Sequence, residues 1–178
     1  MTARHIIVVE DNPADMILLR EALTQHGISF QLKHYTNGED AAKALAAAAQ
    51  VPDLILLDLN VPRLDGFDLL RIIRGNPVLA RTLVGIFTSS QAASDKKRAE
   101  ELGADAYIVK PPGYQEFVAA VGTAIAKLLE RKPGARCRSS MSRVSAQRLN
   151  TKPASLNGAR EVSRHPPRHA TRHARRER

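Results

Sequence analysis

Short runs of apolar residues punctuate the chain up to Glu130. They are Ile6-Ile7-Val8-Val9, Leu54-Ile55-Leu56-Leu57, Leu83-Val84-Gly85-Ile86-Phe87 and Ala106-Tyr107-Ile108-Val109. Each is continuous rather than alternating, the pattern expected of parallel strands covered on both faces. A fifth run, Phe30-Gln31-Leu32-Lys33-His34-Tyr35, alternates apolar with polar and predicts an edge strand with one wetter face. Helical patterns fill the gaps. Asn12-Pro13 opens the first helix, since Asn caps well and Pro suits the first turn. Met16, Leu19 and Leu23 supply its apolar stripe, and Gly27 ends it. Asn37 caps a second, Ala-rich helix. A third runs near Phe67 to Arg74 and stops before Pro77, and a fourth starts around Ser94 or Asp95 and ends at Gly103. The fifth carries Phe117, Val118, Val121, Ile125 and Leu128 at helical spacing. The predicted class is α/β, a doubly wound (βα)5 fold with helices on both sides of a parallel five-stranded sheet.

Beyond Arg131 the pattern dissolves. Phe, Tyr, Trp and Ile are missing there, and Arg, Ser, Pro and His dominate. Such a stretch buries too little apolar surface to offset the entropy of ordering, so residues 132–178 are expected to be a disordered tail after a domain spanning 1–131. Charge divides at the same place. Of the 27 Lys and Arg, 13 lie at or before Glu130, against 16 of the 18 Asp and Glu, a net of −3. The remaining 14 cations and 2 anions give the rest a net of +12, so the overall +9 belongs to the tail. That tail, with His165, His169 and His173 among its arginines, offers contacts to nucleic acid, acidic protein or anionic lipid. It lacks the aromatic interleaving of single-strand binders, and a solvated extension is the preferred reading. Cys137 is the lone cysteine, which leaves no intrachain disulfide and fits a reducing compartment. The N-terminal apolar run stops at Glu10 and Asp11, unlike a signal peptide, and no run approaches the roughly 20 residues that span a bilayer. A soluble, cytoplasmic protein without a membrane partner is expected.

In an open parallel α/β sheet, ligands bind beyond the carboxyl ends of the strands. The residues that follow the apolar runs are therefore the informative ones: Glu10 and Asp11, then Asp58, then Thr88 and Ser89, then Lys110. Clustered carboxylates repel one another unless a cation compensates. A hard ion such as Mg2+ suits one or two carboxylates together with water and phosphate oxygens. Beside that ion Asp58 becomes a nucleophile toward a phosphoryl donor, while Lys110 and the metal stabilise the phosphoryl oxygens and Thr88 donates to one of them. Taken singly, each residue has a plainer reading: Glu10 and Asp11 as solvated acids, Lys110 as a surface lysine, Thr88 as a strand end, Tyr107 as packing. The constellation outweighs those readings for all but Tyr107. His5, His26 and His34 have no partner at ligand spacing and receive no role.

The motifs Val9-Glu10-Asp11-Asn12, Leu56-Leu57-Asp58-Leu59-Asn60-Val61-Pro62, Asp65-Gly66, Phe87-Thr88-Ser89 and Tyr107-Ile108-Val109-Lys110-Pro111 resemble the receiver domain of bacterial two-component response regulators. The resemblance covers residues 5 to about 130. It implies a flavodoxin-like sheet of order 2-1-3-4-5 and a phosphoacceptor at Asp58, phosphorylated by a sensor histidine kinase. It further implies Glu10 and Asp11 around the metal, the Asn60 backbone carbonyl as another ligand, Thr88 and Tyr107 as a switch pair, and Lys110 as the phosphate-binding lysine before a cis Pro111. Glu10-Asp11-Asn12-Pro13-Ala14-Asp15 is similar to the regulators paired with phytochrome-type kinases, from which Pro112 departs. The family commonly forms homodimers. Two other readings fare worse. An aspartyl-phosphate hydrolase needs a second acid two residues past its nucleophile, where this chain has Asn60. A nucleotide site needs a Gly-rich loop after the first strand, and none follows.

Overall fold

The computed structural model describes residues 2–131, so the proposed tail lies outside the described residues. Five strands and five helices alternate in the order the apolar runs predict. The strands are β1 (Arg4–Val9), β2 (Phe30–Tyr35), β3 (Leu54–Leu57), β4 (Leu83–Thr88) and β5 (Ala106–Val109). The helices are α1 (Pro13–Gln25), α2 (Gly38–Ala46), α3 (Gly66–Gly75), α4 (Ala93–Glu101) and α5 (Tyr114–Leu129). All strand pairs are parallel, and the sheet order is β2-β1-β3-β4-β5. The flavodoxin-like expectation is met.

Period-two alternation along buried strands sends neighbouring side chains to opposite layers. Ile6, Val8, Leu54, Leu56 and Phe87 pack under α1 and α5, against Leu19, Leu23, Phe117 and Ile125. Ile7, Val9, Ile55, Leu57, Val84 and Ile86 face the other way, toward Leu45, Phe67, Leu70 and Ile73. Phe87 and Phe117 meet edge to face with centroids 5.8 Å apart, which locks β4 to α5 just below the sheet's carboxyl end. β2 alternates half-buried with exposed positions over Phe30 to Lys33, as its edge place requires.

The helix starts follow their caps. Asn12 Oδ1 accepts from Ala14 N–H, Pro13 occupies the first turn, and Asn37 and Asp65 cap α2 and α3. Gly27 closes α1 with φ +66°, a conformation that strains any residue with a Cβ. α4 begins at Ala93, a residue or two before the expected Ser94 or Asp95, with Ala92 at the cap position. The misplacement has a physical cause. Ser90 Oγ donates to Asp95 at 2.6 Å and accepts from Ala92 N–H at 3.3 Å, so the preceding loop occupies the Asp95 side chain and the helix starts without a side-chain cap. A second expectation is overturned: no peptide bond among the described residues is cis, so Lys110–Pro111 is trans. The tertiary amide favours trans intrinsically by about 0.5–1 kcal/mol, and the trans bond accommodates Lys110 in its ion pairs. No described helix is long and apolar enough to cross a membrane.

Candidate functional site

The parallel register determines what meets at the carboxyl end of the sheet. Val9 pairs with Leu57, Leu57 with Ile86, and Thr88 with Val109. The next residues along, Glu10 and Asp58 on neighbouring strands and Lys110 beyond β4, therefore leave the sheet along the same rim. Asp58 N–H still bonds Val9 O, and Lys110 N–H bonds Thr88 O, each at the last rung of the ladder. Gly66 lets α3 press on this rim, because a Cβ there would lie 2.3 Å from Asp58 O.

Lys110 Nζ donates to Glu10 Oε2 at 2.5 Å and to Asp58 Oδ2 at 2.7 Å. It also sits 4.7 Å over the Phe87 ring. Glu10 is fully buried, Asp58 is 6% exposed and Lys110 9% exposed, so these charges interact where water screens them little. Ligand oxygens of Glu10, Asp11 and Asp58 all lie within 4.8 Å of one another, with Asp11 exposed at the mouth. Burial pushes Glu10 up to about 7, even though the hydrogen bond and charge of Lys110 pull it down. Burial alone would lower Lys110. Its hydrogen bonds to Asp58 and Glu10 outweigh that and hold it above its ordinary range. One ammonium thus faces more negative charge than it can neutralise. The donor set is all oxygen and partly open to solvent, which fits a hard divalent cation.

The remaining expected residues take their places around this centre. Asn60 N–H donates to Asp58 Oδ1 at 3.2 Å, which orients the carboxylate and sets Asn60 on the same rim. Thr88 is fully buried at the end of β4, and its Oγ1 accepts from Ser90 N–H at 3.3 Å. Tyr107, half-buried on β5, donates its hydroxyl to Ser90 O at 3.1 Å, and burial raises its pKa. Thr88 and Tyr107 therefore share Ser90, a residue that sequence reasoning passed over. Two more were missed. His34 Nε2 bonds Glu10 O at 2.7 Å, and Asp15 Oδ2 lies 3.0 Å from Lys110 Nζ. An isolated histidine on a strand gave no warning. Asp15 entered only as the last residue of the segment similar to phytochrome-paired regulators, with no role of its own.

Comparison with known proteins identifies the family. Residues 6–122 match the response regulator receiver domain family, and the chain belongs to it. It is 34% identical over 123 residues to the transcriptional regulatory protein KdpE of Mycobacterium tuberculosis, covering 67% of this chain and 50% of KdpE. The chain thus spans about half the length of that relative. Among solved structures, the phosphorylated cyanobacterial phytochrome response regulator RcpA superposes with a TM-score of 0.66 at 31% identity, over 72% of this chain and 95% of that one. The Mn(2+)-bound response regulator Rcp1 does so with the same score and identity, over 72% and 96%. The likeness to phytochrome-associated regulators suggested by the Glu10–Asp15 segment is therefore present in the fold as well.

Proposed function

We propose that Asp58 is the phosphoacceptor of a two-component phosphorelay, charged by a sensor histidine kinase with Mg2+ in the Glu10–Asp11–Asp58 cluster. The observation that carries this reading is the contact of Lys110 with both Glu10 and Asp58 beside Asp11. A buried lysine bridging acids of two other strands has a plain use as a phosphoryl-oxygen ligand held next to the nucleophile.

In the transfer, a carboxylate oxygen of Asp58 attacks phosphorus of the kinase's phosphohistidine. The P–N bond breaks, its electron pair stays on the imidazole nitrogen, and an acyl phosphate forms on Asp58. Bound Mg2+, held by Glu10, Asp11, Asp58 and the Asn60 carbonyl, would neutralise charge on the phosphoryl oxygens. Asn60 N–H keeps the carboxylate oriented for the attack. Lys110 donates to a phosphoryl oxygen and Thr88 Oγ1 to another. Since Thr88 Oγ1 now accepts from Ser90 N–H, and Ser90 O accepts from Tyr107, moving Thr88 toward the phosphoryl group disturbs the same loop that holds Tyr107. That gives phosphorylation a route to the surface of α4 and β5, where a partner or a second copy of the chain would read the state.

A hydrolase reading lacks its leaving-group acid, since Asn60 stands two residues past Asp58. The likeness to RcpA and Rcp1 favours a phytochrome-type kinase as donor. Incubation with acetyl phosphate tests the proposal. Acid-labile phosphate should accumulate with Mg2+, disappear with EDTA and be absent from Asp58→Asn. Equal labelling of that variant would overturn it.

A further inference from the structure

The Lys110 ammonium donates hydrogen bonds to Glu10 at 2.5 Å and Asp58 at 2.7 Å, and a third carboxylate, Asp15, forms an ion pair with it at 3.0 Å. The first two belong to the cluster that would hold a cation. Asp15 does not.

Its position in the sequence suggests another duty. Asp15 is the third residue of α1, where an acid commonly reaches back to the N-cap N–H. Here that N–H, from Asn12, goes to Glu10 Oε1 at 3.1 Å instead. Asp15 is thereby released from capping and turned to Lys110, with its side chain 20% exposed against 6% for the lysine's.

We infer that Asp15 is a positioning residue, the counter-ion that keeps Lys110 in place once a metal has claimed Glu10 and Asp58. This inference rests on the phosphoacceptor reading of the same site and extends it. A divalent cation among Glu10, Asp11 and Asp58 withdraws two of the ammonium's three partners and repels it. Asp15 remains. It holds the lysine head over Phe87, within reach of a phosphoryl oxygen on Asp58.

Coulomb's law alone predicts the opposite consequence for phosphoryl binding. Deleting an anion near the site should tighten the hold on an anionic phosphoryl group, whereas deleting the tether should loosen it. Two readouts on the full chain separate these outcomes. In 15N-lysine-labelled protein saturated with Mg2+, the Lys110 ammonium signal should be protected from solvent exchange in the wild type. It should broaden away in Asp15→Ala and return in Asp15→Glu. At saturating Mg2+, beryllofluoride affinity should fall roughly tenfold in Asp15→Ala, as expected for loss of a close, largely desolvated ion pair. An unaltered ammonium signal, or unchanged or tighter beryllofluoride binding, would overturn the inference. Amide spectra matching the wild type outside the first turn of α1 would establish that the variant folds. The Asp58→Asn variant, run alongside, judges the underlying reading separately. If it binds beryllofluoride as the wild type does, the phosphoacceptor assignment falls, and the ammonium signal still decides the tether.

Discussion

Replacing Lys110 by Met keeps most of the apolar stem of the side chain and removes its charged, hydrogen-bonding head. The structure leaves Glu10, fully buried, and Asp58, 6% exposed, without their shared cation. Removing one partner of a buried ion pair typically costs about 3–5 kcal/mol, because the remaining charge stays desolvated. Against the roughly 5–15 kcal/mol that stabilises a domain of this size, the deficit is large. It should also depend on pH, in a direction that can be worked out. Glu10 is raised from 4.5 to about 7 in the folded protein, so between those values the folded state binds more protons than the unfolded one. Stability from this group is fully present below the unfolded value and is lost as pH rises through the folded one, by about 3 kcal/mol in all. Without Lys110 its two lowering influences vanish, only the Asn12 N–H still favours the carboxylate, and Glu10 rises further. At pH 8 the variant must therefore carry the whole 3–5 kcal/mol deficit, and at pH 5, where the carboxyl is protonated, roughly half or less. Urea unfolding in EDTA at both pH values measures this, with unchanged m-values as the check on two-state behaviour. Equal stability of variant and wild type at pH 8, or a deficit that grows on acidification, would refute the reasoning.

Other expectations follow from the same structure. Because Glu10 must lose its proton to hold a cation, Mg2+ affinity should rise steeply between pH 6 and pH 8; a flat titration would remove Glu10 from the metal set. Arg74→Met leaves Asp105, its partner at 2.8 Å with both side chains 9% exposed, with the Val84 N–H but without its cation, and should cost about 3 kcal/mol in urea unfolding. Arg63 has φ 71° in the loop after Asp58, and its 3.7 Å contact with Asp40 is exposed. Arg63→Gly should thus raise stability by about 0.5–1 kcal/mol, and a loss would show that the loop depends on the arginine side chain.

Much of the fold was legible because buried parallel strands leave continuous apolar runs that little else produces. Leu54 to Leu57 and Leu83 to Phe87 needed no further signal. The alternating Phe30–Tyr35 run likewise announced its edge position through period two. The convergence of Glu10, Asp58 and Lys110 was legible for a related reason: strand ends in one parallel sheet share one rim. What escaped was whatever depended on side-chain direction. Asp15 and His34 carry no periodic mark, and their contacts exist only because α1 and β2 are packed where they are. Ser90 was overlooked because a loop serine is unremarkable until Thr88, Tyr107 and Asp95 are seen to converge on it. The start of α4 was misjudged for the same reason, since the Asp95 side chain is taken up by Ser90, outside the helix.

The proposed chemistry turns on which atom receives the phosphoryl group. Borohydride reduction of acetyl-phosphate-treated protein converts an aspartyl phosphate to homoserine, and peptide mass spectrometry then locates it. Homoserine is expected at position 58 and nowhere else, only when Mg2+ is present. Modification at Glu10, Asp11 or Asp15, or none at position 58 despite phosphate incorporation, would contradict it.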